Sequence, residues 1–291
     1  MKESKQYKIF KVFNVCILLI IIFCTLYPFI NVVAQSFSSE SYINSGQVNL
    51  FPKGFNVETY QKVLSDTMFW INYKNTVVYT VVGTIISMFL TTIFAYALSK
   101  RRLVGRRFLT VFAVFTMFFN GGLIPNYVLI NALGFANTMW AIVIPGAISI
   151  YNMLIMKSFF ENMPEELEEA AAIDGLNTYG ILLKIVLPLS KAVIATMVLF
   201  YAVAYWNSWF SALIYLTDQN LQPLQLILRQ LLITNQTLQS QATGDMATQL
   251  RQTADMMKYA AIVVSTLPIM MVYPFLQKYF NQGVMVGAIK E

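Results

Sequence analysis

The residues best suited to an interaction chemistry lie in one stretch, which reads ENMPEELEEAAAIDGLNTYGILLKIVLP from Glu161 and holds six of the chain's fourteen acids. Asn162 can cap a helix, and Glu165 follows three residues later in the spacing of a capping box. Pro164 suits a first turn, and Glu165 and Glu166 suit the positive end of a helix dipole. Leu167, Ala170, Ala171 and Asp174 then recur at helical spacing, which predicts one shared face built mostly of small side chains. Gly175 can stop that helix in a left-handed conformation. A second short helix is expected from about residue 178, and Pro188 can begin the next long helix. Connections between neighbouring helices need roughly 2–8 residues, whereas this one spends about thirty. A short amphipathic helix that cannot bury its own face fits a docking element, whose small residues allow close approach and whose acidic rim supplies charge. A helix lying on a membrane surface is the plainer alternative, but such helices favour Lys and Arg with large apolar residues beneath.

A second set of candidates is polar and aromatic. Asn120-Gly121-Gly122 and Pro125-Asn126-Tyr127 interrupt an apolar run and predict a broken helix, tolerated where it lines a cavity or packs against protein. Tyr201, Tyr205 and Trp209 recur every four residues, with Asn207 and Ser208 beside them. Such rings have an apolar body and a polar tip and suit contact with sugar rings. An aromatic belt at a membrane interface is the competing reading. The chain contains no histidine, which excludes His-based catalysis and His metal sites. No metal site and no catalytic residue are expected. Cys16 and Cys24 stand eight residues apart on one predicted helix, about 12 Å along its axis, too far to pair with each other.

These candidates need elements to hold them, and composition says which. Of the 291 residues, 57% are hydrophobic and 12% are charged, about half the charge of a soluble chain. Apolar runs long enough to cross a bilayer place spans at 12–34, 76–98, 108–130, 138–157, 190–215 and 259–279. All are expected to be helices, because a backbone in lipid must satisfy its own hydrogen bonds. Lys2, Lys5, Lys8 and Lys11 precede the first span, and Lys100, Arg101, Arg102, Arg106 and Arg107 fill the loop after the second. Lys157, Lys184 and Lys191 flank the acidic loop, and Lys278 and Lys290 follow the last span. All fall on one side if both termini are cytoplasmic, which also accounts for the net charge of +6 without nucleic-acid binding. No Asp, Glu, Lys or Arg lies well inside a span. That argues against ion-coupled transport and fits a neutral solute.

The acidic stretch also resembles a known signature. Glu169-Ala170-Ala171, then Gly175, then nine residues and Ile185-Val186-Leu187-Pro188 match the EAA element of permease subunits in binding-protein-dependent ABC importers. The likeness runs from Asn75 to the end of the chain. GGLIPNYVLINALGFANTMWAIVIPG, LFYAVAYWNSWFSALIYL, PLQLILRQLL and the tail GVMVGAIKE are similar to the MalG-like carbohydrate-uptake branch.

The resemblance implies an all-α integral membrane protein with six transmembrane helices, the type I (MetI-like) permease fold, carrying a cytoplasmic EAA coupling helix. It implies a cytoplasmic N-terminus (1–11), a first transmembrane helix (12–34) and an extracellular loop (35–70). A permease domain (71–280, with the EAA loop at about 161–188) and a cytoplasmic tail (281–291) follow. Glu169, Ala170, Ala171, Asp174, Gly175, Leu187 and Pro188 would contact the ATPase. Asn120, Tyr127, Tyr201, Tyr205, Asn207 and Trp209 would line the substrate pathway. The implied partners are a second, different permease, two copies of a cytoplasmic ABC ATPase and an extracellular solute-binding protein, in a prokaryotic cell membrane. The chain has no G-x-x-x-x-G-K-[ST] loop, so ATP-Mg would be used by the partner and this chain would be neither an enzyme nor a cofactor binder. The implied cargo is a sugar, an oligosaccharide in this branch, with another small neutral solute or a stand-alone facilitator as alternatives.

Overall fold

A computed structural model describes residues 4–241, 257–272 and 274, and among them there are helices and no strands. Helix α1, Lys5–Ser36, opens with Ser4 accepting from the Tyr7 backbone N–H at 3.2 Å and tolerates Pro28 inside it. Two short helices follow, α2 (Glu40–Asn44) and α3 (Glu58–Ser65). Helix α4, Thr67–Ser99, has 33 residues and is therefore about 50 Å long, well beyond the hydrocarbon core of a bilayer. Both α1 and α4 are long and apolar enough to cross a membrane. The described side chains of α1 before Asn31 are all exposed, as expected of a lipid-facing helix.

The remaining apolar stretches are helical but interrupted: the break expected in the third is present, and the fourth and fifth are broken as well. The third stretch splits into α5 (Arg106–Phe118) and α6 (Leu123–Ala132), bent by 113°. The break falls on Asn120-Gly121-Gly122, where Gly122 takes φ +86° and Pro125 sits in the first turn of α6. In the fourth, α7 (Trp140–Val143) ends before Pro145-Gly146, and α8 (Ile150–Glu161) restarts with Ser149 as its cap. Pro145 has no N–H to continue the ladder, and Ala147 instead bonds tightly back to Ile144 at 3.1 Å.

After α9 (Glu165–Ile173) come α10 (Thr178–Ile181), a π-helical turn (Leu182–Val186) and α11 (Leu187–Leu189). The chain then bends by 86° into α12, Lys191–Trp206. Pro188 thus lies in the short turn before the bend, not at the start of the long helix. Buried Ser190 sits at the bend and donates to the Val186 carbonyl at 2.6 Å.

The fifth stretch breaks again before α13 (Phe210–Tyr215). The Asn207 side chain donates to the Val203 carbonyl at 2.9 Å, competing with the ladder as helix-ending polar side chains do. Helices α14 (Leu224–Gln241) and α15 (Met257–Val272) complete the described chain. The last part of the sixth expected span, the tail 281–291 and residues 242–256 of the long loop lie outside the described residues.

The chain divides into two compact units, residues 1–69 with 228–267, and residues 70–227 with 268–291. In the second, the main core gathers α4, α5, α8, α9, the π turn and α12 around Ala95, Tyr96, Met153, Met156, Phe160, Val186 and Met197. That core positions the acidic loop.

Candidate functional site

Helix α9 forms where the alanines and acids of the loop favour it, but its start differs from expectation. Asn162 closes α8, donating to the Ser158 carbonyl at 2.7 Å, and Pro164 occupies the cap position of α9 without a side-chain bond. Each helix end competes for the same polar residue, and the earlier one wins. The C-terminus is as expected: Gly175 has φ +86°, its N–H bonds the Ala172 carbonyl at 3.0 Å, and the Leu176 N–H bonds the Ala171 carbonyl at 3.0 Å. This is a Schellman closure. Asn177 then caps α10 by accepting from the Gly180 N–H at 2.8 Å.

The expected common face divides. Ala171 turns inward and is buried, while Leu167, Glu169, Ala170, Asp174 and Gly175 are exposed. Ile173, Tyr179 and Leu183 are exposed as well, at 87%, 74% and 63%. Leu187 packs against the core and Pro188 is exposed. A β-carbon added to Gly175 would meet nothing within 4 Å, so only the backbone conformation demands glycine within this chain.

What holds the loop in place was missed in the sequence. Lys100 pairs with Glu168, and both side chains are mostly buried; Tyr96 reaches the other Glu168 oxygen at 3.4 Å. Arg106 pairs with Glu161, which also accepts from Lys157 at 2.8 Å. Arg101 meets Glu165 at 3.5 Å in full exposure, and Arg102 donates to the Thr178 hydroxyl at 3.3 Å. The four basic residues Lys100, Arg101, Arg102 and Arg106 and the acids Glu161, Glu165 and Glu168 line a cavity of about 660 Å³ that also touches Glu169 and Ala172. The signal in the sequence was the facing of a basic loop, KRRLVGRR, with an acidic one, on one side of the membrane.

Of the polar and aromatic candidates, two border one groove, one borders another and three border neither. Tyr201 and Tyr205 are buried and border a largely apolar groove of about 750 Å³ with Ser149, Asn152, Ser208 and Ser211. Their hydroxyls are engaged. Tyr205 donates to the Val143 carbonyl at 3.0 Å and lies 2.9 Å from the Ser87 hydroxyl. Tyr201 accepts from the Ser149 N–H at 3.0 Å and lies 2.6 Å from Thr91. The close approach of Tyr205 requires Gly83, where a β-carbon would come within 2.7 Å of its ring.

Asn120 borders a second groove, of about 510 Å³, with Asn126, Pro145, Ser211 and Tyr215. Its carboxamide oxygen accepts from the Gly122 N–H at 2.9 Å and the Asn126 side chain at 3.1 Å. Tyr127 stacks on Tyr215 at 6.1 Å and borders neither groove. Nor do Asn207 and Trp209. The break after Trp206 removes Trp209 from the face of Tyr201 and Tyr205, and its ring packs edge-on against Phe210 instead. Among the described residues there is no group of three His, Cys, Asp or Glu able to hold a metal ion.

Residues 68–286 match the family described as binding-protein-dependent transport system inner membrane component. The chain belongs to that family. This permease is 42% identical over 94% of its length to the polygalacturonan/rhamnogalacturonan transport system permease protein YtcP of Bacillus subtilis, covering 95% of that protein. It is 40% identical over its whole length to LplC of the same organism, covering 98% of it. The trehalose/maltose permease MalG of Thermococcus litoralis is 28% identical, with 94% of each chain covered. Among solved structures, a chain from a bacterial ABC transporter involved in import of the acidic polysaccharide alginate superposes with a TM-score of 0.86. The identity to it is 35%, over 96% of this permease and 99% of that chain.

Proposed function

We propose that this chain is the transmembrane permease subunit of an ATP-driven importer for a sugar of oligosaccharide size, and that it couples transport to a separate ATPase through α9. The likeness to permeases named for polygalacturonan, rhamnogalacturonan and trehalose or maltose supports the sugar class. The grooves add a chemical constraint. Among the described residues neither is lined by Asp, Glu, Lys or Arg, and both offer Asn and Ser beside aromatic rings. Neutral hydroxyls fit such a lining, and any sugar carboxylate would be matched by groups of another chain.

The observation that carries the coupling role is the outward surface of α9: acidic, with Ala170 beside exposed Leu167 and Ile173, closed by a left-handed glycine and tied to the basic loop behind it. Ala170, Glu169, Asp174 and Gly175 meet the ATPase in this reading, with Ala171, Leu187 and Pro188 setting the loop from within and beside the core. ATP-Mg is bound and hydrolysed by two copies of that ATPase. A second, different permease completes the pathway, and a solute-binding protein delivers the sugar on the outer face. Both termini then lie on the ATPase side of a prokaryotic cell membrane.

Gly175→Val and Glu169→Lys test the proposal in the assembled importer. Both variants should insert in the membrane, yet lose co-purifying ATPase or its stimulation by loaded binding protein. Full binding with full stimulation in both variants means that α9 is not the coupling element.

A further inference from the structure

The segment joining α1 to α3 is built more firmly than a connector requires. Ser38 is buried; its hydroxyl donates to the Ala34 carbonyl at 2.6 Å and accepts from the Lys53 N–H at 3.0 Å. The Ser39 N–H donates to the Lys53 carbonyl at 3.0 Å, and the Asn56 N–H to the Phe37 carbonyl at 3.0 Å. Gly54, at φ +62°, lets these strands of chain touch, because a β-carbon there would stand 2.4 Å from the Ser39 hydroxyl oxygen. The ring of Phe37 stacks on Phe55 at 5.8 Å and on Tyr60 at 4.8 Å. Yet this rigid frame holds apolar side chains outward: Phe51 is 79% exposed and Phe55 72%, with Leu50 beside them.

A polar residue inside the apolar helix says at what depth they lie. Asn31 donates to the backbone carbonyls of both Val48 and Asn49, at 3.2 and 2.8 Å, and is itself held by Gln35. Asn31 stands five residues before the end of α1 at Ser36, so residues 48–49 descend about 7.5 Å below the helix terminus. The chain therefore leaves the long apolar helix, turns through α2, and returns alongside its last turns. Leu50 and Phe51 are thereby brought beside the last turns of a helix whose earlier side chains are all exposed, and Phe55, stacked on Phe37, stands at its end. The intervening Lys53 is exposed and cationic, which suits a phosphate headgroup above buried aromatic rings.

We propose that residues 48–55 form an interfacial anchor that seats Leu50, Phe51 and Phe55 in the headgroup–acyl boundary of the bilayer at the C-terminal end of α1. The lipid surface is the occupant because the anchor continues the apolar exterior of the membrane-crossing helix itself, at a depth fixed by Asn31. Site-directed spin labelling of the assembled importer in phosphatidylethanolamine–phosphatidylglycerol liposomes tests this, with Cys16 and Cys24 replaced by Ser. Labels at Phe51→Cys and Phe55→Cys should collide several-fold less with a water-soluble nickel chelate than a label at Ser41→Cys on α2, and more with oxygen. Adding Asn31→Ala should raise the nickel accessibility of the label at position 51; no change would overturn the role given to Asn31. Nickel accessibility at 51 and 55 equal to that at 41 overturns the proposal. So does shielding that arises only on addition of the solute-binding protein, since that outcome gives the patch a protein partner.

Discussion

Around α9 the chain is positioned by charge, and around α12 by neutral hydrogen bonds. Lys100–Glu168, mostly buried, and Arg106–Glu161, partly exposed, join elements that lie more than fifty residues apart in sequence, at the edge of the core below α9. The tyrosine groove uses Ser87, Thr91, the Ser149 N–H and the Val143 carbonyl, and no ion pair. The difference follows from solvent. Unpaired charge is expensive in the apolar interior, whereas hydroxyl-to-carbonyl bonds satisfy both partners without a net charge. A surface re-covered by another protein, as proposed for α9, tolerates ion pairs that can be rearranged. A groove that carries a solute, as proposed, needs walls that stay where they are.

The largest effect expected from breaking this arrangement is at Gly175. Valine there must adopt φ near +86°, at about 1–2 kcal/mol of strain, and adds volume to the surface proposed to be enclosed. Stimulated ATP hydrolysis should fall at least tenfold while expression in the membrane holds.

Next comes the groove. Tyr205→Phe leaves the buried Val143 carbonyl without its donor, worth about 1–3 kcal/mol, and should lower the melting temperature of the purified importer. Tyr205→Ala should also weaken sugar uptake clearly more than Trp209→Ala, because Trp209 borders neither groove. Equal losses from both would return Trp209 to the pathway and put the broken fifth helix in doubt as a boundary.

Smaller again is Glu168→Gln, which leaves Lys100 mostly buried and unpaired, about 1–3 kcal/mol locally. Stimulation by binding protein should drop several-fold, and the charge swap Lys100→Glu with Glu168→Lys should recover part of it. No recovery would mean that the pair is incidental to coupling. The least effect is expected at Arg101→Gln, since its contact with Glu165 is exposed and worth less than about 1 kcal/mol. Transport within experimental error of the parent is the expected result, and a loss comparable to Glu168→Gln would erase the distinction between the two pairs.

Which of these features could be read in advance depended on whether their cause was local. The left-handed stop at Gly175 was legible because one residue type tolerates that conformation at little cost. The break at Asn120-Gly121-Gly122 was legible for a similar reason. Pro145-Gly146 carried an equally local signal, but the surrounding apolar run masked it and the fourth span read as continuous. Asn162 was misassigned because a capping residue fits the end of one helix as well as the start of the next. The division of Ala170 from Ala171 depended on which side the core lay, and spacing alone does not say. Lys100–Glu168 was beyond reach for a different reason: its partners lie 68 residues apart, and opposite charges on two loops predict attraction without predicting which residues meet.

Helix α4 is unbroken where three of its neighbours are interrupted, and this has a mechanical meaning. The same rod presents Gly83, Ser87 and Thr91 to the tyrosine groove and, about 8–14 Å beyond Thr91, delivers Tyr96 and the adjoining Lys100 to the acidic loop. Under the proposed function it would serve as a torsion bar. In that role, a twist imposed by a solute at Tyr205 would run along an unbroken helix toward Glu168, whereas the same twist applied to α12 would meet its bends. One alanine inserted between Thr91 and Tyr96 would turn the far end by about 100° and lengthen the bar by about 1.5 Å, cutting the transmission while leaving both ends chemically intact.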